Sequence, residues 1–85
     1  MDKITYTIKD KTGIHARPAG MLVKLASSYK SNITISTGDK SADAKKIFAV
    51  MGLNVKCGQT ITVTADGEDE GEAIEKIGSF LNNNL

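Results

Sequence analysis

The sequence predicts an α+β fold, a two-layer open-faced sandwich with a four-stranded antiparallel sheet and three helices on one face. Three observations lead there. Four short segments alternate apolar and polar residues, so each has one apolar side and one face of the sheet stays wet. Three other segments space their apolar residues three and four apart, the period of a helix. The two kinds of segment interleave as β-α-β-β-α-β-α. At 85 residues the length fits a single domain, residues 1–85.

Each element has a local reason. Residues 3–9 alternate strictly, with Ile4, Tyr6 and Ile8 on one side. Asp10-Lys11-Thr12-Gly13 reads as a turn. Residues 16–29 are a predicted helix, because Ala19, Leu22, Val23 and Ala26 fall on one stripe. Pro18 suits its first turn, where a missing N–H costs nothing. Met21 and Leu25 lie on another face and leave some apolar surface exposed. Residues 32–37 and 40–43 are two strands joined by the turn Thr37-Gly38-Asp39-Lys40. Residues 46–53 are a short helix with Ile47, Val50 and Met51 expected inward. Residues 60–65 are the last strand, with Ile61, Val63 and Ala65 inward. Residues 69–82 are the last helix, with Ala73, Ile74, Ile77 and Leu81 as its stripe. The acids of its first turn favour the positive end of the helix dipole.

Composition excludes several classes. A single Cys rules out an internal disulfide and a Cys-based zinc site, and a single His rules out the common His-pair metal motifs. No apolar run approaches a membrane span, and residues 1–10 lack the apolar core of a leader peptide. With its lone Cys57, which reads as an inert loop thiol, the chain is expected in a reducing cytoplasm. The net charge of +1 hides an uneven spread. Residues 1–56 hold ten basic and four acidic side chains, whereas residues 57–85 hold one Lys and six acids. The basic part suits an acidic partner.

The stretch that carries chemistry is Gly13-Ile14-His15-Ala16-Arg17-Pro18-Ala19-Gly20. It joins a strand to a helix and puts the only His where that helix begins. Free N–H groups and the positive end of the dipole point out of a helix N-terminus. Such a site disfavours imidazolium, so the ring keeps a nitrogen lone pair and can act as a nucleophile. The same N–H groups can hold an anion, and the Arg17 guanidinium can hydrogen-bond phosphate oxygens. A phosphoryl group on His15 is the chemistry that this arrangement serves best. An exposed or merely capping histidine is the bland alternative, although His is a poor N-cap beside Ser, Thr, Asp or Asn. No acidic partner for His15 is visible in the sequence.

Gly13-Ile14-His15-Ala16-Arg17-Pro18-Ala19 resembles the active-site signature of the HPr family, the histidine-containing phosphocarriers of the bacterial phosphoenolpyruvate:sugar phosphotransferase system. Residues 38–45 resemble the family's central hairpin, 45–51 its second-site segment and short helix, and 65–70 the start of its final helix, so the likeness covers almost the whole chain. The resemblance implies that His15 accepts a phosphoryl group on Nδ1 from phosphorylated enzyme I and passes it to sugar-specific enzyme IIA domains. Ala16 and Arg17 would bind the phosphate. The chain would be a monomeric, stoichiometric carrier for sugar uptake rather than an enzyme, with no metal, no cofactor, no nucleic acid and no membrane insertion. The partner-binding face would use Ala16, Arg17, Gly20, Lys24, Lys45, Lys46, Phe48, Ala49 and Met51, with the lysines meeting acidic groups at the rim.

Two positions depart from the family's pattern. Many Gram-positive members carry at the place of Lys46 a Ser that a kinase phosphorylates in catabolite repression; Lys46 has no hydroxyl, so no regulatory serine is expected there. Gly20 stands where Ala is usual. Other readings are a regulatory paralogue that docks without carrying phosphate, a small nucleic-acid-binding module and a free-standing hydrolase. The four aromatic residues, two Tyr and two Phe, show no stacking run for nucleic acid.

Overall fold

The computed structural model describes residues 1–85. Its elements are β1 (Asp2–Thr7), α1 (Ala16–Ser27), β2 (Asn32–Thr37), β3 (Lys40–Asp43), α2 (Ile47–Gly52), β4 (Thr60–Asp66) and α3 (Glu70–Asn84). The expected order and fold class hold. One antiparallel sheet runs β1-β4-β2-β3. Because α1 carries the chain over the sheet, β1 and β2 are not neighbours, and β4 inserts between them. Val63 at the centre therefore pairs with Ile4 on one side and Ile35 on the other.

The period-two pattern decides which face is covered. Ile33, Ile35, Ile61, Val63 and Ala65 are buried beneath the helices. On the opposite face Thr5, Thr62, Ser36 and Ser41 form a row of cross-strand neighbours. From the helices, Leu22, Val50 and Ile77 close the core. No helix is long and apolar enough to cross a membrane.

The ends of the elements differ from expectation for local reasons. β1 stops at Thr7. Ile8 is buried but leaves the regular ladder, donating its N–H to the Gln59 carbonyl (2.9 Å) and accepting from Gly58 N–H (2.8 Å). α1 stops at Ser27, and the Ser28 hydroxyl donates to the Leu25 carbonyl at 2.6 Å. α3 runs on through the asparagines to Asn84. Leu85 then buries its side chain, while its main-chain oxygen accepts from Lys9 and Asp10 N–H at 2.6 and 2.9 Å. Periodicity is misleading at Met51. In the six-residue α2 only Val50 is fully buried, Ile47 packs partly against the core, and Met51 is exposed. Of the pair expected on the free face of α1, Met21 is exposed and Leu25 packs partly on the core.

Candidate functional site

The loop between β1 and α1 is held from both sides. Asp10 Oδ1 accepts the Thr12 N–H (2.9 Å) and the Thr12 hydroxyl (2.7 Å), while Gly13 N–H donates to the Asp10 carbonyl (2.9 Å). This is an Asx-type turn. Gly13 has φ +69, and a Cβ there would lie 2.2 Å from the Val55 carbonyl oxygen. Only glycine combines that backbone with so close an approach. Ile14 follows, buried, with its N–H on the Val55 carbonyl at 3.0 Å. The loop thus reaches His15 already fixed against the segment before β4.

His15 is the N-cap residue of α1, with extended backbone and no side-chain capping bond. Its carbonyl accepts the Ala19 N–H at 3.0 Å, which leaves the imidazole free of helix duty. The first turn leaves N–H groups without intrahelical partners. Pro18 has none, so Ala16 and Arg17 supply the donors beyond the cap. No acid stands in this turn to compete for them. The ring opens on a hollow of about 250 Å³ lined by Asp10, His15, Arg17, Pro18, Met21 and Asn84. His15, Ala16 and Arg17 are all exposed.

The sequence reading missed two of these side chains. The sequence marks Asp10 only as part of a turn, yet its Oδ2 lies 4.0 Å from His15 Nε2. Its short-range partner Thr12, two residues on, is the signal that could have found it. The Thr12 hydroxyl and N–H hold the Asp10 carboxyl below the ordinary carboxylate range, with His15 adding in the same direction. Asn84 arrives from the far end of the chain only because α3 runs past residue 82.

The remaining predicted residues form one surface. Arg17, Gly20 and Lys24 share a face of α1 with Met21, at i, i+3, i+4 and i+7. At Gly20 a Cβ would sit 3.6 Å from the Ile47 side chain, so α2 packs against this face. α2 continues it with Phe48, 85% exposed, half-buried Ala49 and exposed Met51. Lys46 is the exposed N-cap residue of α2. Lys45 is different: half-buried, it donates from Nζ to the Tyr29 carbonyl at 2.8 Å, just past the end of α1, and is not a free rim cation.

The small open-faced sandwich thus presents an exposed histidine at a helix N-terminus, beside an open hollow. Comparison with known proteins gives the family. The model of the phosphotransferase-system HPr component phosphorylation site matches residues 3–83. The phosphocarrier protein HPr of Mycoplasma capricolum is 47% identical over 77 residues, which are 91% of this chain and 86% of that protein. The solved histidine-containing phosphocarrier protein of Mycoplasma superposes with TM-score 0.94 at 43% identity, covering 96% of this chain and 93% of that one. Bacillus subtilis Crh, a catabolite-repression protein solved as a swapped dimer, gives TM-score 0.78 at 35% identity over 94% of this chain and 92% of its own. The chain belongs to the HPr family of phosphotransferase-system phosphocarriers.

Proposed function

We propose that this chain carries a phosphoryl group on His15 Nδ1 between phosphorylated enzyme I and sugar-specific enzyme IIA domains. The observation that carries the reading is the His15 ring, exposed beside Arg17 at the N-terminus of α1 and engaged in no capping bond. The Nδ1 lone pair attacks phosphorus, a P–N bond forms, and the bond from phosphorus to the donor breaks. Ala16 and Arg17 N–H groups and the Arg17 guanidinium hold the phosphoryl oxygens. These contacts are solvated, so they steady the group without trapping it. The acceptor then attacks phosphorus and the P–N bond breaks. One group is carried per visit, so the protein is a stoichiometric carrier and not an enzyme. It works as a cytoplasmic monomer.

Both partners meet the surface made by Ala16, Arg17, Gly20 and Lys24 on α1 and by Lys46, Phe48, Ala49 and Met51 on and before α2, while Lys45 is tied to the Tyr29 carbonyl rather than offered at the rim. Phe48 and Met51 support this role, since exposed, adaptable apolar side chains suit a face that fits more than one partner.

The test is incubation with phosphoenolpyruvate, Mg²⁺ and purified enzyme I, read by mass spectrometry and phosphorus NMR. The wild type is expected to gain one acid-labile phosphoryl group that His15→Ala does not gain. Absence of the adduct with a competent enzyme I would shift the reading to a regulatory paralogue acting by docking alone, for which the likeness to Crh is the support.

A further inference from the structure

We propose that Asp10 is a positioning residue for His15: its carboxylate holds the ring proton on Nε2 and so keeps the Nδ1 lone pair free for phosphorus. This deepens the carrier reading and rests on it for the role of Nδ1, but the placement of the proton can be tested without any transfer.

The two carboxylate oxygens have separate tasks. Oδ1 is fully engaged, accepting the Thr12 N–H and the Thr12 hydroxyl at 2.9 and 2.7 Å. That double anchor fixes the plane of the carboxylate and leaves Oδ2 as the oxygen toward His15. Oδ2 stands 4.0 Å from Nε2, not from Nδ1. At this separation the interaction is an electrostatic one, and a hydrogen bond would need a small rotation of the His15 side chain toward Oδ2, which no capping bond opposes. The anchor itself does not move with that rotation, because the main chain is pinned at Gly13 and Ile14.

Neutral imidazole donates from one nitrogen and accepts at the other, and the hydrogen bond made by one nitrogen sets the state of its partner. A carboxylate can only accept. Beside Nε2 it therefore favours Nε2–H and leaves the lone pair on Nδ1. Of the other groups facing the ring, Arg17 is a donor only, and Asn84, which donates one amide N–H to the Phe80 carbonyl at 2.9 Å, offers a neutral acceptor weaker than the Asp10 carboxylate. The same geometry serves the transfer step. When Nδ1 takes the phosphoryl group the ring retains its Nε2 proton and gains positive charge, which Oδ2 faces. When the P–N bond breaks, the electron pair returns to Nδ1 with the proton still on Nε2.

Two substitutions separate this role from simple support of the turn. In Asp10→Asn the side-chain oxygen keeps the Thr12 bonds, which turns the amide NH₂ toward the ring. That donor favours acceptance at Nε2 and so the Nδ1–H form. In Asp10→Ala neither preference is imposed. Nitrogen-15 NMR of the imidazole at alkaline pH reads the two forms directly. The Nε2–H to Nδ1–H ratio is expected to fall about threefold or more in Asp10→Ala relative to wild type, the lower end for a lost, partly solvated charge-assisted bond. In Asp10→Asn it should fall further, with Nδ1–H becoming the major form. The rate of phosphoryl uptake from enzyme I should follow the same order, wild type above Ala above Asn. An unchanged ratio in Asp10→Asn overturns the proposal. So do equal changes in both variants, which would mark a role in the turn alone. If the ratio shifts as expected but no variant, nor the wild type, accepts phosphate, the positioning stands and the carrier reading is the one that fails.

Discussion

Asp69 and Ser31 lie 38 residues apart in sequence, and Asp69 Oδ1 accepts both the N–H (2.9 Å) and the hydroxyl (2.5 Å) of Ser31. Its second oxygen takes the Lys30 N–H at 2.8 Å. Asp69 is the N-cap residue of α3, yet it makes no capping bond to its own helix. It clasps the connection between α1 and β2 instead. Gly67 makes the close approach possible, because a Cβ there would fall 2.7 Å from Ser31 Cα.

The clasp predicts acid sensitivity. Ser31 hydroxyl and main-chain donors lower the Asp69 carboxyl from its ordinary 3.8 to about 2. As pH falls the unfolded chain binds this proton first, so the contribution present above about pH 4 is lost through about pH 2. Urea midpoints recorded across that range should fall for the wild type. For Asp69→Asn they should start lower at neutral pH and change less with acid. Parallel curves for the two proteins would assign the acid response to other carboxylates.

Gly20→Ala should stabilise the protein. The added methyl meets the Ile47 side chain at 3.6 Å, an ordinary contact, and Gly20 has no positive φ that alanine would strain. Replacing an interior helical glycine gains about 0.5–1 kcal/mol. Denaturant unfolding reads this as a higher midpoint with an unchanged slope. A lower midpoint would mean that α1 and α2 are already packed to their limit at this point.

Local period was sufficient for the elements: Ile33 and Ile35, or Ile61, Val63 and Ala65, could only be the covered side of strands. The place of His15 at a helix start was legible, because Pro18 and the apolar stripe of α1 mark that start. Asp10 and Asp69 were not, because each acts outside its own element. One reaches across a loop to His15, and the other reaches across the fold to Ser31. Sequence spacing carries no record of a contact 38 residues long. Periodicity alone failed at Met51 for a different reason. In a helix of six residues one side chain, Val50, fills the buried position, and the stripe that a longer helix would need has no room to form.

Phe48 should separate docking from stability. Its side chain is 85% exposed, so Phe48→Ala should change unfolding free energy by no more than about 0.5 kcal/mol. If Phe48 anchors enzyme I as proposed, the same substitution should raise the KM for phosphoryl transfer by about tenfold, the loss of roughly 1.4 kcal/mol of binding. An unaltered KM would remove α2 from the enzyme I contact.

Lys46 should trade stability against encounter. It occupies the N-cap of α2 without a side-chain capping bond, and it places a positive charge at the positive end of the helix. Ser at this position caps well, so Lys46→Ser should stabilise the fold by about 0.5–1 kcal/mol. In the proposed docking the exposed ammonium serves the approach of an acidic partner surface, and such charges act on the association rate and are screened by salt. Stopped-flow phosphorylation by enzyme I should therefore be slower for Lys46→Ser at low ionic strength. The two proteins should converge as salt rises. If they show the same rate and the same salt dependence, Lys46 contributes nothing to docking and its cost to α2 has no functional return.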